Sequence, residues 1–281
     1  MLAVSAVDRY ERFRRLHHEQ PPLLLPNAWD FGSAALLADM GYQALGTTSL
    51  GVAAAVGKPD AAAATRAETV ALTRTLATLP VLVTVDVEGG FSDDPVEVAE
   101  LASEIADAGA AGINLEDGRP DGRLTPLQLQ LAKIRAVKQR VPGLFLNART
   151  DTYWLEGGAE DPLAETLRRG AAFAEAGADG FFVPGSMPLE TIAEIAGRVR
   201  LPVNVLHRPG VFTPSLLTEL GVARVSTGSL LFRLALGAVR QAAAELDPQL
   251  PGPARTGPPG YAEVQQLLTR FAPGPASDGA R

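Results

Sequence analysis

The sequence repeats one pattern along most of its length: a short apolar run, a polar or glycine-containing break, and an alanine-rich stretch with helical spacing. Eight of the apolar runs have the length and composition of β-strands. They are "PLLLP" (22–26), "YQALGTTS" (42–49), "PVLVTVDVE" (80–88), "AGINLED" (111–117), "LFLNARTD" (144–151), "GFFVPG" (180–185), "LPVNVLH" (201–207) and "VARVSTGS" (222–229). Strands that alternate with helices pair in parallel, and eight such units form a (β/α)8 barrel. The pattern therefore predicts the α/β class and a TIM barrel.

An open, doubly wound sheet is the alternative architecture for such a pattern. It is disfavoured because no predicted strand is followed by the glycine fingerprint of a dinucleotide site. The helical stretches 94–109 and 161–177 each open with Asp and Pro and end at Gly. These residues favour a capped helix start and a left-handed turn at the helix end.

The C-terminal part of the chain differs in composition from the rest. Residues 249–281 are rich in Pro and Gly, with one amphipathic stretch at about 260–271. We therefore expect a catalytic barrel over residues 1–248 and an arm with one short helix over 249–281. The apolar stripe of that helix favours packing on a surface, which we expect on a neighbouring subunit. The alternative is a loose tail that packs on no surface. Its members are Val264, Leu267, Leu268 and Phe271.

Composition excludes several classes of site and partner. The chain has no Cys, so disulfides, thiolate metal sites and a cysteine nucleophile are ruled out. A net charge of −7 argues against nucleic acid and anionic membranes as partners. The N-terminus lacks the pattern of a signal peptide, and no apolar run reaches the roughly 18 residues of a membrane span. We expect a cytoplasmic protein.

Polar side chains share one face at the ends of three consecutive predicted strands. Side chains alternate along a strand, and the active site of a barrel lies at the C-terminal ends of its strands. The valines at 83, 85 and 87 suit the helix layer, so the polar residues between them point toward the barrel mouth. The residues on the inward face are Thr84, Asp86, Glu88, Asn114, Glu116, Asn147, Arg149 and Asp151. We expect them to converge.

Several carboxylates in one water-poor cleft repel each other unless a cation lies between them. Residues i and i+2 of a strand, such as Asp86 and Glu88, are about 6.6–6.8 Å apart. Two such acids can share one Mg²⁺ if one binds directly and the other binds through water, because Mg²⁺ retains several waters. The pattern predicts a hydrated divalent cation.

Five stretches together carry a family resemblance, in one order from residue 22 to about 235. They are "LPNAWDFGSAALLADMGYQALGTTSLGVAAAVGKPD" (25–60), "VDVEGGF" (85–91), "AGINLED" (111–117), "NARTD" (147–151) and "PVNVL" (202–206). The sequence resembles the isocitrate lyase and phosphoenolpyruvate mutase superfamily, and is similar to methylisocitrate lyases in particular. The resemblance implies a (β/α)8 barrel that uses Mg²⁺ or Mn²⁺. It also implies homodimers or homotetramers that exchange the C-terminal helix.

The resemblance also assigns roles around the metal. Asp86 resembles the direct ligand, and three further acids resemble residues that hold the waters of the ion, namely Asp60, Glu88 and Glu116. With Arg149, Glu88 and Glu116 are the implied catalytic residues.

The implied substrate-binding residues lie on several predicted strands and loops. Ser49 and Gly51 resemble a carboxylate-binding loop, although Leu50 separates two residues that are usually adjacent. Arg149 resembles the arginine that grips a 2-oxo acid, and Asn204 resembles a second carboxylate contact. The remaining members of the implied substrate-binding set are Asp60 and His207.

The chain departs from the family at the loop that supplies the lyase acid. Isocitrate and methylisocitrate lyases carry Lys-Lys/Arg-Cys-Gly-His there, whereas this chain has "EDGRPDGRLTP" (116–126). The asparagine-containing loop of the mutases is also absent. The open candidates for proton transfer are a water held by Glu88 or Glu116, Tyr42, Tyr153, and His207, which faces either the helices or the mouth. The other two histidines, His17 and His18, are expected to be solvated.

The resemblance implies a Mg²⁺- or Mn²⁺-dependent carbon–carbon lyase that forms a metal-stabilised enolate. Its substrate would be a small 2-hydroxy or 2-oxo di- or tricarboxylic acid, as in 2-methylisocitrate lyase. The alternatives are decarboxylation or hydrolysis of an oxo acid such as oxaloacetate, phosphonopyruvate-type C–P chemistry, and a non-catalytic 2-oxo-acid binding protein.

Overall fold

The computed structural model describes residues 6–19, 21–155, 159–247, 249 and 257–271. The strands in these residues are β1 (Leu23–Leu25), β2 (Asn27–Ala28), β3 (Ala44–Thr47), β4 (Leu82–Asp86), β5 (Gly112–Glu116), β6 (Phe145–Arg149), β7 (Gly180–Val183), β8 (Val203–Leu206) and β9 (Arg224–Ser226). The helices are α1 (Ala6–Leu16), α2 (Phe31–Asp39), α3 (Ser49–Ala55), α4 (Arg66–Leu76), α5 (Pro95–Asp107), α6 (Leu127–Arg140), α7 (Pro162–Glu175), α8 (Leu189–Arg198), α9 (Pro214–Glu219), α10 (Leu230–Leu246) and α11 (Tyr261–Phe271).

The strands form one parallel sheet that closes on itself. From β3 to β9 each strand pairs with the next in the chain, β1 pairs with β9, and β2 pairs with β3. The short strands β1 and β2 are two halves of one strand separated by Pro26, which has no N–H to donate to the ladder. The carbonyl of Pro26 accepts a hydrogen bond from Gly46 N–H at 2.9 Å. The predicted (β/α)8 barrel is confirmed, with its first strand broken at Pro26.

The predicted helix caps are also present. Asp94 accepts a hydrogen bond from Val96 N–H at 2.8 Å at the start of α5, and Asp161 accepts one from Ala164 N–H at 3.0 Å at the start of α7. Gly109 follows α5 with a φ of +106°, which residues with side chains rarely adopt. These signals set the lengths of the two helices.

The valines of β4 and its extension pack against the helices, as alternation predicts. Val83, Val85 and Val87 are each at most 1% exposed and belong to the main core between sheet and helices. The barrel interior is polar by comparison, because Thr84, Asn114, Asn147, Asn204 and Arg224 are all buried there or at its walls. The floor of the interior is apolar, because Leu82 and Phe145 at the strand starts pack with Phe13 in a second hydrophobic cluster, so the polar part of the interior lies toward the strand ends.

Helix α1 covers the N-terminal end of the barrel, and this overturns the expectation that His17 is solvated. His17 stacks on Phe145 with ring centroids 4.2 Å apart, and its Nδ1 lies 2.8 Å from the carbonyl oxygen of Phe13. Burial lowers the pKa of His17 to about 3, with the nearby Arg224 charge acting in the same direction. His18, the next residue, is exposed as expected. His17, the first residue after α1, is buried because its ring packs between Phe13 of the helix and Phe145 of the barrel floor.

The predicted C-terminal helix is present as α11 and packs on α3 and α10. Val264 is buried against Leu50 and Phe232, whereas Leu267 and Phe271 are 52% and 66% exposed. The remainder of the predicted arm, residues 250–256 and 272–281, lies outside the described residues. Exchange of α11 between subunits stays a prediction, as does the boundary at residue 248. No helix in the described ranges combines the length and apolar character needed to cross a bilayer.

Candidate active site

A cavity opens where the strands end, at the C-terminal face of the barrel. Five of the predicted site residues line it, namely Ser49, Asp60, Asp86, Glu116 and Arg149. The cavity is also lined by Asn114, Gly118, Arg119, Asp151, Trp154, Ser226 and Tyr261. The strand ends therefore bring acids, amides and arginine to one place, which is the usual position of a TIM-barrel active site.

Arg149 lies among carboxylates at the end of β6. Its Nε and Nη2 donate to the two carboxylate oxygens of Asp151 at 2.6 and 3.1 Å, and its Nη1 lies 2.7 Å from Glu116 Oε2. Burial opposes the charge of the guanidinium, but Asp151, Glu116 and Asp86 outweigh that effect and raise the pKa of Arg149. Because Arg carries five N–H groups, two of them stay free of these contacts.

A second buried ion pair holds the chain beyond Arg149. Asp117 accepts hydrogen bonds from Thr150 Oγ1 at 2.8 Å, Asp151 N–H at 2.8 Å and Arg169 Nη1 at 2.9 Å. Burial raises the pKa of Asp117 to about 6, although Arg169 opposes the shift. This network fixes the backbone at residues 150–151 and thereby the carboxylate that orients Arg149.

Asp86 ends β4 beside the first turn of α3. Its Oδ2 accepts a long hydrogen bond of 3.4 Å from Ser49 N–H, while its Oδ1 is buried and has no hydrogen-bond partner among the described residues. Burial raises the pKa of Asp86, Arg149 opposes the shift and Asp60 adds to it. An unpartnered buried carboxylate oxygen is costly, so this atom calls for a cation or a donor.

Asp60 comes from the loop between α3 and α4 and presents a second such atom. Its Oδ2 accepts a hydrogen bond of 2.7 Å from the hydroxyl of Tyr261, and its Oδ1 is buried without a hydrogen-bond partner in the part of the chain that the structure describes. Asp60 raises the pKa of both Asp86 and Glu116, which places its charge near theirs. The three acids thus share one electrostatic environment.

Glu88 lies apart from this cavity, although alternation along β4 points it toward the mouth. The strand ends at Asp86, and Glu88 has a φ of +51°, which turns its side chain toward the α3–α4 loop. There it accepts hydrogen bonds from Ala63 N–H at 3.0 Å and from Thr65 Oγ1 at 3.2 Å. It lines a neighbouring cavity with Lys133. Burial, followed by the charges of Asp60 and Asp86, raises the pKa of Glu88 to about 7.

Three more predicted residues are absent from the described lining of the main cavity. Gly51 lies in α3, where a Cβ would come within 2.5 Å of Trp29 Cβ, so the position requires Gly. Asn204 is buried one layer deeper and exchanges hydrogen bonds of 3.3 Å with Ser226, which does line the cavity. His207 is half-buried, and its backbone N–H donates to the carbonyl of Ser226.

The segment that replaces the lyase loop is a short hairpin. An isolated bridge joins Gly118 to Leu124, and Thr125 N–H donates to the carbonyl of Asp117 at 2.7 Å. Arg119 of the hairpin lines the cavity, and its guanidinium pairs at 2.6 Å with Asp93, which lines the neighbouring cavity. This segment supplies a cation to the mouth. The two tyrosines proposed from sequence, Tyr42 and Tyr153, are partly buried against the main core and are not among the lining residues described for the cavity.

Two functional candidates escaped sequence reasoning. Tyr261 lines the cavity from the first turn of α11, where the sequence pattern predicts only an apolar stripe. Arg224 of β9 is fully buried and donates from Nη2 to Asn114 Oδ1 at 3.2 Å, and within the described ranges its Nε and Nη1 have no hydrogen-bond partner. Burial lowers the pKa of Arg224 to about 9, against the influence of Asp86. Strict alternation in "VARVSTGS", with Arg224 and Ser226 on one face, was the available signal.

The acids of the cavity fit a hydrated divalent cation. In the described part of the chain, no three His, Cys, Asp or Glu side chains converge closely enough to ligate one ion directly. The unpartnered Oδ1 atoms of Asp60 and Asp86 nevertheless belong to residues that line the same cavity. Carboxylate oxygens suit Mg²⁺ and Mn²⁺, and Mg²⁺ is held by one or two carboxylates while it keeps waters. Asp86 would hold the ion, and Asp60 and Glu116 would hold its waters.

Comparison with known proteins identifies relatives that include enzymes acting on small carboxylic acids. The family model of phosphoenolpyruvate phosphomutase matches residues 13–247. An uncharacterized protein of Mycobacterium tuberculosis is 43% identical over 261 residues, which cover 92% of this chain and 96% of that protein. The 2-methylisocitrate lyase of Bacillus subtilis is 33% identical over 204 residues, covering 68% of this chain and 65% of the lyase.

A solved structure of a related protein has the same fold. A crystal structure from Burkholderia cenocepacia J2315 superimposes with a TM-score of 0.80 at 36% identity, and the match covers 87% of this chain and 100% of that one. The family match extends from α1 to the end of α10 and therefore includes every strand of the barrel. The chain belongs to the phosphoenolpyruvate mutase family, within the isocitrate lyase/phosphoenolpyruvate mutase superfamily of lyases and mutases.

Proposed function

We propose that this protein is a Mg²⁺- or Mn²⁺-dependent carbon–carbon lyase of a 2-hydroxy or 2-oxo di- or tricarboxylic acid, similar to 2-methylisocitrate lyase. One observation carries the proposal: Arg149 lines the same cavity as Asp60 and Asp86, and each of these two acids has a buried carboxylate oxygen with no hydrogen-bond partner among the described residues. A divalent cation bound there would supply a Lewis acid for the negative charge that develops on an enolate oxygen. The residues of the chain supply the remaining functions.

Arg149 binds the carboxylate next to the reacting carbon. Glu116 and Asp151 engage three of its N–H groups and hold the guanidinium still, which leaves one N–H on each Nη for the substrate. Charge-assisted contacts of this kind fix the orientation of a carboxylate as well as its position. Ser49, whose N–H contacts Asp86, can add its hydroxyl.

Arg119 binds a second carboxylate of the substrate. It lines the same cavity from the hairpin after β5 and is held by Asp93 at 2.6 Å. Two arginines in one cavity favour an acid with at least two carboxylates over a monocarboxylic acid.

Cleavage requires one group to accept the hydroxyl proton and another to return a proton to the departing carbanion. Of the acids and tyrosines proposed for this role from the sequence, Glu116 is the one that lines the cavity. Burial, opposed by Arg149, raises the pKa of Glu116, which suits it to hold a proton taken from the substrate. Glu116 is the group best placed to act as the base.

Decarboxylation or hydrolysis of a small oxo acid is the second candidate. The observation in its favour is the hairpin over residues 117–125, which carries no Cys, His or Lys to protonate a departing carbanion. Loss of CO₂ from an oxo acid such as oxaloacetate leaves an enolate that water can protonate. This chemistry needs less from the missing acid loop.

A substrate panel tests both candidates. The full-length protein with Mg²⁺ or Mn²⁺ is incubated with 2-methylisocitrate, oxaloacetate or phosphonopyruvate, and products are followed by NMR, with Asp86→Ala as the inactive control. Turnover of 2-methylisocitrate supports the lyase, and turnover of oxaloacetate alone supports the second candidate. Turnover of phosphonopyruvate alone would instead indicate C–P chemistry. Binding of 2-oxo acids with no turnover would make the chain a binding protein.

A further inference from the structure

Helix α11 contacts the candidate active site through two polar side chains. The hydroxyl of Tyr261 donates to Asp60 Oδ2 at 2.7 Å. One turn later, Gln265 accepts from Asp60 N–H through Oε1 and donates to the Asp60 carbonyl through Nε2, both at 3.2 Å. Asp60 is therefore held at its carboxylate and at both backbone polar groups by one helix.

These contacts determine how Asp60 presents its second oxygen. Because the phenol has a single proton, directed at Oδ2, the unpartnered acceptor is Oδ1, which is buried. The Tyr261 ring packs edge-to-face on Trp154 with centroids 5.5 Å apart, and both residues line the cavity. This packing restricts rotation of the Tyr261 side chain and keeps its hydroxyl directed at Asp60.

The loop that carries Asp60 has no regular structure to position it. Residues 58–65 lie between α3 and α4, and Ala61 and Ala63 adopt positive φ values of 56° and 53°. Such values are uncommon for residues other than Gly, so the loop needs outside contacts to keep this shape. Glu88 holds one side through Ala63 N–H, and α11 holds the other side at Asp60.

We propose that Tyr261 and Gln265 are positioning residues of the catalytic site, which fix Asp60 so that its Oδ1 can accept a hydrogen bond from a water of the bound cation. The inference rests on the proposed function, since it presupposes that the cavity binds a divalent cation. It makes α11 part of the site, whichever subunit contributes the helix. Residues that orient the groups around a metal commonly change its affinity about 10–100-fold when mutated.

The test measures Mn²⁺ affinity of the full-length protein by EPR of the free ion, with circular dichroism to verify folding. Tyr261→Phe removes only the hydroxyl and keeps the ring against Trp154, and Gln265→Ala removes the two backbone contacts. We expect each to weaken Mn²⁺ binding by about tenfold. Glu263→Gln is the matched control in the same helix, because Glu263 pairs with Arg240 and its side chain is 56% exposed. It should bind Mn²⁺ like the parent.

A double-mutant cycle separates positioning from general stabilisation. If Tyr261 acts through Asp60, Tyr261→Phe should have no further effect on Mn²⁺ affinity in an Asp60→Asn background. Independent, additive losses would assign Tyr261 a structural role and overturn the proposal. So would parental Mn²⁺ affinity in Tyr261→Phe, which leaves the proposed function intact. A parent protein that binds no Mn²⁺ overturns the proposed function and, with it, this inference.

Discussion

Arg149 and Glu116 occupy paired positions on the neighbouring strands β6 and β5, and their side chains lie 2.7 Å apart inside the cavity. The register of β5 and β6 alone therefore brings the two side chains together, without a contribution from the loops. Asp151, two residues beyond Arg149, takes the other edge of the same guanidinium. The arginine is thus pre-oriented by two acids and keeps free N–H groups for a third, which a substrate would bring.

Replacing Arg149 by Lys should weaken binding of a 2-oxo dicarboxylate such as 2-oxoglutarate. Lys keeps the charge but lacks the planar fork, so it cannot hold Glu116, Asp151 and a substrate carboxylate together. A charge-assisted contact contributes about 1.5–3 kcal/mol, so we expect the dissociation constant to rise at least about tenfold by calorimetry. Metal affinity should change far less.

The matched control for this variant is Arg168→Lys, because Arg168 is an exposed arginine on α7 that pairs with Glu165. It should bind 2-oxoglutarate like the parent. Equal affinities of the parent and Arg149→Lys would show that the arginine is structural, and the substrate pocket would have to be sought around Arg119.

Replacing Asp86 by Ala should abolish Mg²⁺ and Mn²⁺ binding without unfolding the barrel. The variant loses the unpartnered Oδ1 and relieves the repulsion from Asp60, so it removes a ligand and a buried charge together. Calorimetric titration with Mn²⁺ gives the affinity, and circular dichroism reports the fold. Undiminished metal affinity in a folded variant would refute Asp86 as the direct ligand.

The sequence sufficed to predict the barrel because local signals agree with the tertiary structure. The eight predicted strands all contain strands of the structure, and the Asp-Pro starts of α5 and α7 cap as expected. Alternation also separated the valines of β4 from the inward residues correctly. These features depend on neighbours within a few residues along the chain.

The site was only partly predictable, for two physical reasons. Alternation holds inside a strand, but β4 ends at Asp86 and the positive φ of Glu88 turns that side chain out of the main cavity. Long-range packing is the other reason. Tyr261 lies 201 residues from Asp60, and no local pattern indicates that they touch.

The pH dependence of stability should reveal the buried carboxyl of Glu88. The pKa of Glu88 is about 7 in the folded protein, against 4.5 for a glutamate in the unfolded chain. Between pH 4.5 and 7 the folded state therefore binds more protons than the unfolded state. The free energy of unfolding then falls as pH rises through this window, by at most about 3 kcal/mol from this group. Glu88→Gln should flatten the fall, since its amide oxygen can still accept from Ala63 N–H while its NH₂ group faces Thr65 Oγ1.

Urea unfolding of the metal-free parent and of Glu88→Gln between pH 4.5 and 7.5 measures this difference. Saturating Mg²⁺ should shrink it, because a nearby cation favours the ionised carboxylate. Parallel curves for the two proteins would indicate that Glu88 titrates in the folded state as it does in the unfolded chain.

Deleting residues 259–281 should lower the oligomer mass and weaken metal binding together. On α11, Leu267 and Phe271 stay 52% and 66% exposed in the single chain, whereas Val264 is buried against Leu50 and Phe232. The exposed part of this apolar stripe is expected to pack on a second surface. We predict that this surface is the barrel of a neighbouring subunit. Light scattering gives the mass, and Mn²⁺ titration gives the affinity. If the mass is unchanged while Mn²⁺ affinity falls, α11 packs within its own chain and serves the site alone. If neither changes, the helix has no role in assembly or in positioning Asp60.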